Sequence, residues 1–390
     1  MMKTRISVQQ SLFYYQLILN SIIIFFFSMK TYQLIFLPLI LINLCGLLHH
    51  PQKQLTITRK LNWMLQLFGQ SIIIPFSISM LIRLMPMISW NNPFIIALLL
   101  AYSLIMFIPY TFVTLQPIKI PTIQIIVLLY SFLSTASQAL DLMVQATTLA
   151  KNPTIKTWSD SLFDGALIIA IMIIILMYQW RYGLPKVKLN RRTNLWLLAL
   201  LTIFAIWFSG WNAFASGNNI FVSLIQFDIH RLSFTTSNIL SGLEAGIAEE
   251  FIFRFAILTI IIDTLYNSRN RFIYAGLLSS LLFALMHSLN LFAGQNIGAT
   301  LVQIGFAFAY GLFLSGIYLY SDLFYLPVLF HALLDTLVFL TSTSQVMTGK
   351  VLSSDILITV IECLIFFCLG LLLIQLKTKR QPHFQLHFFN

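Results

Sequence analysis

Residues 244–263 read EAGIAEEFIFRFAILTIIID. This run decides the fold, because it is apolar enough to sit in hydrocarbon and yet holds Glu249, Glu250 and Arg254. Only 9% of the 390 residues are charged and 58% are hydrophobic, with a mean hydropathy of +0.87. A soluble domain keeps about a quarter of its residues charged, so the solvent of this chain is largely lipid. An ionised carboxylate in mid-span costs ~2.5–3.5 kcal/mol or more. The charged triplet must therefore face a protein interior or a water pocket.

Outward from this run, apolar stretches recur, each near the ~20 residues that a spanning helix needs. The pattern predicts an all-α fold, a polytopic transmembrane helical bundle of about twelve spans. They fall near 11–29, 32–48, 61–82, 94–115, 122–149, 162–180, 194–211, 237–266, 273–290, 297–320, 323–341 and 354–376. With both termini cytoplasmic, 16 of the 23 Lys and Arg residues fall on the inner side and 6 on the outer, and Arg254 lies within a span. That asymmetry is the positive-inside bias. The net charge of +11 then reads as topology and attraction to the lipid bilayer. The basic residues are dispersed beside spans, which argues against a nucleic-acid partner. The first run follows basic residues, but no small-residue cleavage site comes after it, so it reads as an uncleaved helix. Cys45, Cys363 and Cys368 lie in apolar runs without metal-ligand spacing and read as packing residues. The Phe, Ile and Asn content and the compact basic loops point to a multi-pass protein of a bacterial cell membrane.

A polar stretch from Arg181 to Asn194, RYGLPKVKLNRRTN, reads as a hinge. It divides an N-terminal membrane region, 1–190, from a second region, 191–380, each with about six spans. The halves show no internal repeat, so an inverted-repeat transporter is not supported. The longest connection lies around 212–235, where Phe221 to Phe227 suits a short interfacial helix.

The second region holds the unusual residues. Glu250 and Arg254 are four apart, share a helix face and can pair. Glu249 points about 100° away, which leaves it as the free carboxylate that a general base requires. Two of the seven histidines, His287 and His331, fall inside spans. His287 closes the segment FALMH, and His331 opens HALLD, with Asp335 four residues on. Each feature alone also reads as interhelical glue. Together they place polar groups on three helices around one interior, in a chain with only four glutamates.

The segments EEFIFR, FALMH and HALLD resemble the Glu-Glu-x-x-x-Arg, Phe-x-x-x-His and His-x-x-x-Asn/Asp motifs of the CAAX prenyl protease type II family. This family, also called CPBP or Abi, comprises polytopic intramembrane endopeptidases. The motifs occur in the family's order and span about residues 195–376, a CAAX-protease-like core in the C-terminal half. The resemblance implies that Glu249 activates water, helped by His287. It implies that Glu250 and Arg254 hold the geometry, and that His331 and Asp335 face the developing oxyanion. Asp335 stands where prenyl-protein members often carry Asn. An ionised Asp cannot donate a hydrogen bond to an oxyanion, so Asp335 is protonated, orients His331, or belongs to a metal site. The family has been described both as metal-dependent and as glutamate-dependent. No His-Glu-x-x-His pair settles the question, and Glu249, His287 and His331 could together bind Zn²⁺.

The function expected is hydrolysis of a membrane-associated peptide or protein by activated water. A proton- or cation-coupled transporter would scatter acids through both halves. A catalytically inactive scaffold or immunity protein would be free to lose one of the six motif residues, and all six are present. On the twelve-span topology these residues converge from the midplane toward the outer leaflet.

Overall fold

The computed structural model describes residues 7–48, 56–84, 92–134, 151–217, 219–342, 344, 346–347 and 350–380. Among these the chain is helical, with no strand and one isolated antiparallel bridge, Ala215 to Phe227. The backbone divides into two compact units, one ending at Trp180 and one beginning at Arg181.

The first unit comprises α1 (Val8–Thr31), α2 (Pro38–Leu47), α3 (Ile57–Leu84), α4 (Pro93–Ile105), α5 (Pro121–Ser134), α6 (Pro153–Ser161) and α7 (Phe163–Gln179). Uncharged side chains hold much of its interior, which also encloses one carboxylate, Asp164. Gln70 donates to Asn43 Oδ1 at 2.8 Å and to Gln66 Oε1 at 3.0 Å. Gln66 donates to the Ile42 carbonyl at 2.9 Å, and Asn43 to Ser21 Oγ at 3.1 Å. Buried amides that satisfy one another knit helices together without the cost of burying charge.

The second unit comprises α8 (Leu195–Phe214), α9 (Thr236–Glu250), α10 (Leu258–Thr264), α11 (Arg271–Met286), α12 (Ile297–Ser321), α13 (Tyr325–Ser342) and α14 (Ser353–Arg380). Polar caps start three of them. Asn194 accepts from the Trp196 and Leu197 amides, Thr235 from Asn238, and Asn296 from Ala299. Two glycine seams bring helices into backbone contact. A Cβ on Gly246 would lie 2.6–2.8 Å from Ala332 atoms, and one on Gly242 would meet Thr336 backbone at 2.5 Å, so α9 and α13 lie against each other. A Cβ on Gly370 would lie 2.8 Å from Leu312, which marks the same close approach of α14 to α12. An aromatic core of Phe208, Trp211, Tyr310, Phe313 and Phe366 fills the space beneath α8, α12 and α14.

Eight described helices are long and apolar enough to cross a membrane, or nine if α6 and α7, bent by 58°, count as one span. The chain is thus an integral, multi-pass protein, and the expected count of about twelve is not reached by this measure. Two expected spans are short apolar helices, Leu34–Leu47 and Pro121–Ser131. The second half of the expected 122–149 span, with Asp141, lies outside the described residues, as do both termini. The run that opened the sequence analysis is helical, but it is split by a π-turn and carries too many charges to pass as a simple apolar span. The expected interfacial helix over 221–227 is a single turn, Ile220–Ser223.

The stretch that reads as a hinge is tied to the second unit. The Phe324 amide donates to the Lys186 carbonyl at 2.8 Å, and the Asn190 amide to the Ser321 carbonyl at 2.9 Å. Asp322 pairs with Lys377 at 3.0 Å and Lys186 at 3.4 Å. Five basic residues and a Gly-x-Pro in this stretch read locally as a linker, but Asp322 supplies a fixed anchor.

Candidate active site

Helix α9 ends at Glu250, and the chain continues through a π-helical segment, Phe251–Ile257, before α10. Within it the Leu258 amide donates five residues back, to the Phe253 carbonyl. Ser279 on α11 donates to the same carbonyl at 2.6 Å, which pins α11 to the π-turn. Such π-turns widen a helix locally and are frequent at functional sites. Here the turn lies between the two glutamates and the body of α10 and contains Arg254.

Arg254 is fully buried and pairs with Glu250, Nη1 to Oε1, at 3.1 Å, with both side chains 0% exposed. The pair is ionic rather than hydrogen-bonded, since no guanidinium nitrogen has a hydrogen-bond partner among the described residues. The face of Phe283 takes up part of the charge, 4.0 Å from Arg254 Cζ. Gly311 on α12 makes room for it, since a Cβ there would lie 2.7 Å from Nη2.

His331 on α13 enters from the other side. Its Nδ1 lies 2.8 Å from Glu250 Oε1. A carboxylate accepts, so this contact places the ring proton on Nδ1. Its Nε2 faces Glu249 Oε2 at 3.5 Å and Asp335 Oδ2 at 3.4 Å. One imidazole thus contacts three carboxylates. They differ in access, because Glu250 is sealed while the Glu249 and Asp335 side chains are 19% and 26% exposed. Glu249 and Asp335 keep some surface open to water, and Glu250 has none.

The structure therefore brings together five of the six residues singled out in the sequence. The sixth, His287, lies within electrostatic reach of His331, Asp335 and Arg254. Its Nδ1 lies 3.2 Å from the Phe283 carbonyl of its own helix. Among the described residues it makes no hydrogen bond or ion pair with Glu249. The Phe283 ring touches both histidines, edge-on to His287 at 4.9 Å and to His331 at 5.7 Å. Glu249 is also not the isolated carboxylate that a plain helix suggests, because α13 lies close enough along the Gly246 seam for His331 to reach both glutamates.

No group of three or more His, Cys, Asp or Glu residues among those described is arranged to hold a metal ion. Glu249, His287 and His331, which could together have held zinc, are not grouped in that way. Both nitrogens of His331 are turned to carboxylates, and His287 is turned to its own backbone. Sequence reasoning missed three members of the site: the π-turn, Gly311 and Tyr310. The Tyr310 ring stands edge-on to His331 at 6.2 Å.

Residues 231–337 match the family model described as type II CAAX prenyl endopeptidase Rce1-like. The match is narrower than the 195–376 expected, and it contains Glu249, Glu250, Arg254, His287, His331 and Asp335. No curated protein and no solved structure matches the chain.

Proposed function

We propose, from the match of residues 231–337 to the Rce1-like type II CAAX prenyl endopeptidase model, that the second unit is an intramembrane endopeptidase working through Glu249 and His331. The observation that carries this reading is the unequal access of the two glutamates around one histidine. Glu250, sealed and paired to Arg254, fixes the tautomer and direction of His331. Glu249, reachable from outside, takes a proton from water as the water oxygen attacks the carbonyl carbon of a peptide bond. The tetrahedral intermediate collapses by breaking the C–N bond, and the proton passes to the departing nitrogen. Nε2 of His331, 3.5 Å from Glu249, relays this proton, receiving it from the Glu249 carboxyl and giving it to the departing nitrogen. Asp335 shares Nε2 with Glu249 and orients the ring. His287 and Phe283 line the approach. No step is routed through a metal ion.

The substrate is a membrane-associated peptide or protein, reached within the bilayer. Purified protein in liposomes, offered quenched peptides with and without a prenylated C-terminal Cys-a-a-X segment, tests the reading. Wild-type protein is expected to cleave members of at least one set, and Glu249→Gln protein none. Equal cleavage by both proteins would reject it.

A further inference from the structure

Glu362 lies outside the site described above. It sits on α14, about 14 Å along that helix from Ser353. It is 9% exposed, and no hydrogen bond or ion pair joins it to any described residue. A carboxylate at this depth of an apolar span is costly without a partner, and such residues mark binding sites and ion pathways.

The surroundings of Glu362 form a cavity. Phe204, Trp207, Phe208, Trp211 and Phe366 line a space of about 100 Å³ between α8 and α14, and Glu362 is its one charged lining residue among those described. The aromatic walls are fixed by their own packing. Trp207 stacks on Trp211 at 6.0 Å, and Phe208 meets Phe366 edge-on at 4.7 Å. Trp207 Nε1 also donates to the Leu224 carbonyl at 3.2 Å, which ties this wall to the segment that follows α8. Two lining residues, Ile361 and Trp207, are 43% and 37% exposed, so the cavity is reached from the lipid side.

The lining selects the occupant. An anion would be repelled by Glu362, since no Lys, Arg or His lines the cavity. A plain hydrocarbon would fill the space and leave the carboxylate unpaired. A divalent metal ion needs several oxygen ligands, and the cavity offers one carboxylate. An organic cation meets both features, because the carboxylate supplies a counter-charge and the rings supply negative faces. The volume is below the roughly 150 Å³ that admits benzene, so it suits one small head group and not a whole lipid.

We propose that this cavity binds the alkylammonium head of a membrane-soluble, single-chain amphiphile, with Glu362 as its counter-ion and the chain left in the bilayer. The inference does not depend on the endopeptidase reading. The test titrates wild-type and Glu362→Gln proteins, held in uncharged dodecyl maltoside micelles, with radiolabelled dodecyltrimethylammonium, and follows thermal unfolding in parallel. Wild-type protein is expected to bind the probe at a single saturable site, and folded Glu362→Gln protein to bind it at least about tenfold more weakly. Dodecanol, which has the same chain without the charge, should not displace the probe from wild-type protein. Equal affinity of the two proteins overturns the inference, as does the lack of saturable binding to wild type. Displacement by dodecanol as effective as by the unlabelled ammonium also overturns it, since the cavity would then take any chain. If Glu362→Gln fails to fold, the dodecanol comparison on wild-type protein decides the matter alone.

Discussion

Glu250 Oε1 lies 2.8 Å from His331 Nδ1 and 3.1 Å from Arg254 Nη1, so a single carboxylate oxygen joins α13 to the π-turn. Both contacts are fully enclosed. A charge in this position is held by its partners and not by solvent, and removing one partner exposes the others to the full cost of burial.

The two glutamates should therefore differ under the same substitution. Glu250→Gln leaves Arg254 buried without a counter-charge, and loss of one member of a buried pair costs ~3–5 kcal/mol. Glu249→Gln leaves that pair intact, so its stability should stay close to wild type. Thermal or denaturant unfolding in detergent checks this directly. Equal stability of the two variants would contradict the division of labour.

The seam between α9 and α13 sets the distance from the glutamates to His331. A Cβ at Gly246 would lie 2.6 Å from the Ala332 Cβ, and the neighbouring atoms at that point are backbone. Gly246→Val must push the helices apart. Overpacking of this kind costs ~1–3 kcal/mol, and here it should also abolish cleavage by drawing His331 away from Glu249. A Gly246→Val protein with wild-type activity would show that this seam does not position the site.

Much of the site was legible because charge is rare in an apolar chain. In a membrane span, Glu249, Glu250, Arg254, His287, His331 and Asp335 stand out by type, and helical spacing correctly pairs Glu250 with Arg254. Spacing within one helix could not show that His331 would share itself between both glutamates, because that depends on how closely α9 and α13 pack. The π-turn at Phe251–Ile257 was hidden because its hydrogen bonds leave no mark on the apolar pattern. Tyr310 looked like one more aromatic in an apolar span, and only its contact with His331 sets it apart. The count of about twelve spans is not confirmed among the described residues, where the apolar run Leu34–Leu47 is helical but shorter than a full span.

The side of the membrane from which the site is reached can be tested at Ser288, a partly buried residue next to His287 in the turn that follows α11. On the twelve-span topology expected from the charge asymmetry, this end faces the outer leaflet. In a protein with Cys45, Cys363 and Cys368 replaced, a cysteine at position 288 should react with a membrane-impermeant thiol reagent added outside intact cells. Reaction only after the cytoplasmic side is exposed would reverse the orientation.

The central claim is that Glu249 activates a water which ends in the product. Cleavage run in ¹⁸O-water and read by mass spectrometry of the N-terminal fragment tests it most directly. One ¹⁸O is expected in the new carboxylate formed by wild-type protein, and no such product from Glu249→Gln protein whose fold is intact. Fragment that forms without the label, or that forms at the wild-type rate without Glu249, would contradict it.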